Sequence, residues 1–205
     1  MIRGSVRAGI PLIVALSLGG CGTSTPSSAA PSVAPTASLL PADSQGPSPA
    51  GSGAIVVDET LLRHLPVEVG GIGLVSDPAT AASIATDPDL AAHASAIAVA
   101  YAISPGASVG DDLAVASVVK LRPNVFDDAF FRSWRDSYDT AACASAGGTS
   151  GNAEADIGGR HAYIGTCTGG AHTYHVYLEA ENVIVSVTSV GEKRLGEQVV
   201  AGLRE

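Results

Sequence analysis

Hydrophobic and polar positions change their period several times along the chain, and each change marks an element. From Ala96 to Ile103 (AIAVAYAI), Ile97, Val99, Tyr101 and Ile103 alternate with alanines. Alanine favours helix, but the β-branched and aromatic set predicts a strand. LAVASVVKL (Leu113 to Leu121) is apolar on both faces and predicts a central strand, paired with the first across SPGASVGDD. Between Asn124 and Ala146 the period lengthens. Phe126, Phe130, Trp134, Tyr138 and Ala142 recur every four residues, which predicts an amphipathic helix packed on the sheet. Gly147-Gly148 would end it. Asp128 and Arg132, Arg132 and Asp136, and Arg135 and Asp139 stand four apart, and are expected as ion pairs on its wetter side.

Alternation then returns. EADIGG and RHAYIGTC predict a hairpin through Gly158-Gly159, and HTYHVYLEA and NVIVSVTSV a second through Glu181-Asn182. EKRLGEQVVAGLRE predicts a closing helix with Leu195, Val199 and Leu203 on one side. Upstream, DETLLRHLP predicts a short helix opened by an acidic cap and stopped by Pro66. VEVGGIGLVS predicts a tight hairpin or bent strand at Gly70-Gly71. Two Asp-Pro openings, DPATAASIAT and DPDLAAHAS, predict two short helices. Strands that succeed one another through short turns predict an α+β two-layer sandwich, a mainly antiparallel sheet with helices on one face.

Residues 1–53 keep neither period. Arg3 and Arg7 precede the apolar run Ile10 to Leu18 (IPLIVALSL), far shorter than the roughly 20 residues a membrane span needs. The run ends in Leu18-Gly19-Gly20-Cys21: an aliphatic residue, two small ones and a cysteine. This segment resembles the signal and lipobox of bacterial lipoproteins. The resemblance covers the first 21 residues only. It implies cleavage between Gly20 and Cys21, lipid on the Cys21 thiol and an acyl chain on the new amino group. The chain would then sit at the extracytoplasmic face of a cell membrane, held by its lipid. Each buried CH₂ contributes roughly 0.8 kcal/mol, so two or three chains suffice as an anchor. From residue 22 to 53, all but Val33, Leu39, Leu40, Asp43 and Gln45 are Ser, Thr, Pro, Ala or Gly. Such a composition cannot offset the entropy of ordering. The expected organisation is a signal peptide over 1–20, lipidated Cys21 with a disordered tether over 21–53, and one globular domain over 54–205.

Charge narrows the partners. Without Arg3 and Arg7, the 20 acidic side chains face 9 basic ones, a formal charge of −11. Nucleic acid and anionic lipid surfaces would repel such a chain, so nucleic-acid binding is excluded. Cys143 and Cys167 remain as an even pair in an exported chain and are expected to be bridged. The alternative is a reactive thiol at Cys167 (GTCTGG), activated by His161 or His172 in the fold.

Candidate chemistry is sparse. GASVG (Gly106 to Gly110) matches G-x-S-x-G, but a nucleophilic Ser108 would need a strand, a sharp turn and a helix, and the adjoining DDLAVASVV reads as a strand. HTYH puts His172 and His175 three apart on a strand, hence on opposite faces. His161 with one of them would make a thin metal site, short of the ligand set of structural zinc. Asp111-Asp112 read as turn residues and Asp127-Asp128 as a helix start, where negative charge suits the dipole. The spaced acidic pattern of a calcium loop is missing. Trp134, Arg135 and Tyr138 read equally as a ligand grip or as core with flanking charges. No catalytic residue, metal or cofactor is assigned. The expected role is a membrane-anchored extracytoplasmic binding or interaction module, with a protein or a small molecule as ligand. A small envelope hydrolase using Ser108 or a site centred on His161 and His175 is the alternative, and a structural envelope protein a further one.

Overall fold

The computed structural model describes residues 53–104, 106 and 111–205, which belong to one compact unit, Gln45–Glu205. The signal segment, Cys21, the tether up to residue 52 and Ser108 lie outside the described residues.

In chain order come β1 (Val56–Val57), a 3₁₀ turn (Glu59–His64), β2 (Glu68–Val69), β3 (Ile72–Gly73), β4 (Val75–Ser76), α1 (Pro78–Ile84) and α2 (Pro88–His93). Next are β5 (Ala94–Ile103), β6 (Leu113–Leu121), α3 (Asp128–Cys143), β7 (Thr149–Ile157), β8 (Arg160–Cys167), β9 (His172–Leu178), β10 (Val183–Val190) and α4 (Leu195–Ala201). The main sheet runs β1-β5-β6-β10-β9-β8-β7, with β4 also on β5, while β2 and β3 form a separate hairpin. Every pairing is antiparallel except that of β1 with β5.

Local chemistry explains the element starts. The side chains of Asp58, Asp77, Asp87 and Asp127 accept backbone N–H groups from the turns they open. These caps satisfy donors that a helix start leaves orphaned. Pro78 and Pro88 take the first helical position, where no N–H is needed. Gly70 and Gly71 both have positive φ, 58° and 76°, as the two-residue turn between β2 and β3 requires. Asp127 and Asp128 therefore serve the start of α3, and Asp112 accepts from the Lys193 backbone N–H at 2.7 Å.

The α+β sandwich with its mainly antiparallel sheet forms as expected, but helices cover both faces of the sheet, where the sequence predicted them on one. On one face, Ala98, Ala100, Ala102, Val185 and Val187 meet Leu61, Leu65, Leu195, Val199 and Leu203 from the 3₁₀ turn and the α4 region. On the other, Ile97, Val99, Val119, Leu121 and Ile184 meet Ala81, Phe131 and the half-buried Phe126, Phe130 and Trp134. The longest helix, α3, shares that face with α1 and α2. The reason lies in β6 and β10, whose apolar residues point both ways. A strand buried on both sides needs a layer on each. Among the described residues no helix is long and apolar enough to cross a membrane.

Cys143, the last residue of α3, is disulfide-bonded to Cys167, the last of β8, with Cα atoms 5.1 Å apart. Both are fully buried, beside Ala171. The bridge staples the helix C-terminus to the sheet and leaves no reactive thiol at Cys167.

Candidate functional site

Helix α3 meets the sheet along its aromatic row, as the spacing suggests, and buries the adjacent row more deeply. Phe131, Asp139 and Cys143 are its buried residues, while Phe130, Trp134 and Tyr138 are half-buried. Asp139 is thus turned inward, and Arg135 and Asp139 do not form a surface ion pair. Room for the carboxylate comes from Gly165 on β8. A Cβ at that position would stand 2.5 Å from Asp139 Oδ2 and overlap Thr173 Oγ1. Gly165→Ala is accordingly expected to cost about 1–3 kcal/mol through overpacking, read as a lower urea midpoint with an unchanged slope.

A continuous hydrogen-bonded line runs from Asp139 into the sheet. Thr173 Oγ1 donates to Asp139 Oδ1 at 2.5 Å, and His175 Nε2 lies 2.8 Å from the same oxygen. His175 Nδ1 is 3.0 Å from Ser186 Oγ, and Trp134 Nε1 donates to that oxygen at 3.1 Å. Tyr138 stands edge-on to the His175 ring, 5.0 Å away, with its hydroxyl 3.1 Å from Thr188 Oγ1. Every atom of the line finds a partner when His175 carries its proton on Nε2 and accepts from the Ser186 hydroxyl at Nδ1. Burial opposes ionisation of Asp139. The bonds from His175 and Thr173, with the positive charge of Arg135, outweigh it and hold the carboxyl below its ordinary value. For Tyr138, burial dominates and pushes the hydroxyl up, so it stays neutral.

Asp139, His175 and Ser186 have the connectivity of an acid, a base and a nucleophile. Their setting forbids that chemistry. Ser186 has no exposed surface and sits mid-strand, in register with Ser117 on one side and His175 on the other. Its hydroxyl already accepts from Trp134, and a substrate carbonyl has no path to it. The line is a structural weld between α3 and the sheet, and its polar groups are buried only because each is bonded.

The histidines singled out from the sequence do not meet. His175 is 1% exposed with both ring nitrogens engaged. His172 lies on the opposite face beside Tyr174, and His161 is exposed, 3.4 Å from Glu154. Among the described residues no group of three His, Cys, Asp or Glu converges to hold a metal ion. Asp139, Thr173 and Ser186 were not legible as site residues. One signal pointed to Asp139: it stands four residues, about one helical turn, before a cysteine expected to be bridged to the sheet.

Two concavities flank the weld. A polar cleft of about 500 Å³ opens between α3 and the β7–β8 hairpin, lined by Arg132, Arg135, Asp136, Asn152, Glu154 and Tyr163. An apolar groove of about 530 Å³ runs between α2 and α3. Its floor is Ile97 and Val119, its walls are Leu90, Phe130 and Trp134, and Ser117, Ser137 and Tyr138 line it with hydroxyls. The Phe130 ring lies 5.1 Å from His93 and 6.1 Å from Trp134, which joins the two helices along the groove. Of the residues suspected as a ligand grip, Trp134 and Tyr138 line this groove, whereas Arg135 faces the cleft. The chain matches no protein-family profile, no curated protein and no solved structure.

Proposed function

We propose that this chain is a membrane-anchored extracytoplasmic binding module. Lipid on Cys21 holds it at the membrane, residues 22–53 act as a leash, and the groove between α2 and α3 receives a small, largely apolar ligand. One observation carries the reading: an aromatic-walled groove stands open while the Ser186 hydroxyl of the nearby acid–base–nucleophile line is fully buried. The groove's volume falls in the range of small-molecule sites, roughly 300–1,000 Å³, and it combines apolar walls with a few hydroxyls. The bond from Trp134 Nε1 to Ser186 fixes the indole, so that wall is ordered before any ligand arrives.

Trp134 is the single tryptophan of the chain, so its fluorescence reports on this wall alone. An unlipidated chain beginning after the signal is expected to show saturable energy transfer from Trp134 to the apolar dye anilinonaphthalene sulfonate. Leu90→Glu, at a half-buried groove position, should weaken dye binding about tenfold with an unchanged circular dichroism spectrum. Dye binding unaffected by that charge would reject the groove. The anchor is tested separately: Cys21→Ser should move the chain out of the membrane fraction, and unaltered retention would reject it.

A further inference from the structure

The geometry points to a second ligand site, independent of the groove, in the polar cleft between α3 and the β7–β8 hairpin: Arg135 takes the carboxylate of an amino-acid-like zwitterion. The Arg135 guanidinium lies 3.8 Å over the Tyr163 ring and 5.5 Å from the Phe131 ring. Phe131 and Tyr163 in turn meet edge-on at 5.3 Å, so the guanidinium rests on a built aromatic platform. Its Nε is buried and has no hydrogen-bond partner. Neither Arg135 nor Arg132 has a carboxylate within 4.0 Å among the described residues. The buried Nε is out of a ligand's reach, but the two terminal nitrogens of this flat-held guanidinium have no hydrogen-bond or ion-pair partner among the described residues and form a fork on the cleft wall for a planar acceptor. A carboxylate fits it through two parallel N–H···O bonds.

The rest of the cleft argues against a bare anion. Asp136 on α3 and Glu154 on β7 line it, and Asp139 adds a third carboxylate. Phosphate or sulfate would meet these charges as well as Arg135. A ligand with an ammonium group near its carboxylate satisfies both sets: the carboxylate on Arg135, the ammonium toward Asp136 and Glu154. Glu154 is only loosely engaged, 3.4 Å from the exposed His161. Asn152, exposed on the same strand, can accept from or donate to the ligand's polar atoms. A free α-amino acid or a short peptide with a free carboxylate has this chemistry.

The test is calorimetry on the unlipidated chain with free amino acids as probes, and with acetate and inorganic phosphate as anions alone. At least one amino acid is expected to bind at millimolar concentration or below, and more than tenfold tighter than acetate or phosphate. Arg135→Lys keeps the charge but loses the planar fork and should weaken that binding at least tenfold. Glu154→Gln should weaken the amino acid while leaving acetate unchanged. Both variants are to be checked for an unshifted melting transition. No heat with any amino acid, acetate binding as tightly as the zwitterions, or full binding by a folded Arg135→Lys chain would each overturn the site.

Discussion

Asp139→Ala is expected to destabilise the folded chain by about 3 kcal/mol, the loss of charge-assisted hydrogen bonds together with the desolvation of the partners left behind. The Asp139 side chain is 9% exposed and takes bonds from both Thr173 and His175. Without it, a hydroxyl and an imidazole N–H remain buried with nothing to donate to. The loss should propagate, because His175 then no longer orients the Ser186 hydroxyl that receives Trp134. Asp139→Asn, which keeps an acceptor, should lose about half as much. Ionisation sets the sign with pH. Asp139 titrates below its ordinary value in the folded chain, so its contribution is complete above the unfolded carboxylate pKa and is lost as pH falls through the lower folded value. The gap in urea stability between the native chain and Asp139→Ala should therefore be widest near neutrality and close below about pH 4. A gap that stays constant on acidification, with both chains still folded, would mean that the carboxylate charge is not what stabilises this contact.

Removal of the Cys143–Cys167 bridge should cost a comparable amount. The residues are 24 apart, and on the chain-entropy account closing a loop of that size contributes roughly 3 kcal/mol. Cys143→Ala with Cys167→Ala is the informative pair, since alanine leaves no buried hydroxyl to satisfy. Thiol counting of the unreduced, denatured chain should find neither cysteine free, and the urea midpoint should fall on reduction. The bridge and Asp139 lie one turn apart on α3 and hold the same helix end to the same part of the sheet. Their losses should combine to less than the sum, because once either tie is cut the other has a looser helix end to hold. Additive losses would show that the two act separately.

Much of the fold was readable because it is local. The caps at Asp58, Asp77, Asp87 and Asp127 and the turn at Gly70-Gly71 are relations within a few residues, as are the alternations of β5 and β8; α3 itself stops at Cys143, and Gly147 closes the 3₁₀ turn Ala144–Ala146 that follows it. The depth of the row beside the aromatic one on α3 shows the limit. A four-residue repeat locates the buried sector of a helix but not its rotation against a sheet. The row Phe130, Trp134, Tyr138 lines the groove, and the adjacent row Phe131, Asp139, Cys143 goes deepest. What turns the helix is the gap over Gly165 and the bridge to Cys167, both on a strand that comes after the helix in sequence. Cover on the second sheet face could have been inferred, since LAVASVVKL is apolar both ways.

The amino-acid pattern by itself determined most of the helix and strand segments and the α+β class, because periodicity, capping and turn chemistry act over a few residues, and the expected pairing of Cys143 with Cys167 is the one the structure shows. Only the tertiary structure decided that Asp139, His175 and Ser186 form one hydrogen-bonded line with the Ser186 hydroxyl fully buried, that Trp134 walls a groove and that Arg135 is left with a buried Nε that has no partner. Asp139 and His175 are 36 residues apart, and Ser186 packs against a strand 69 residues earlier. Contacts at such separations arise from the order in which strands pair and the angle at which a helix settles on them, and no local pattern of residue types encodes either.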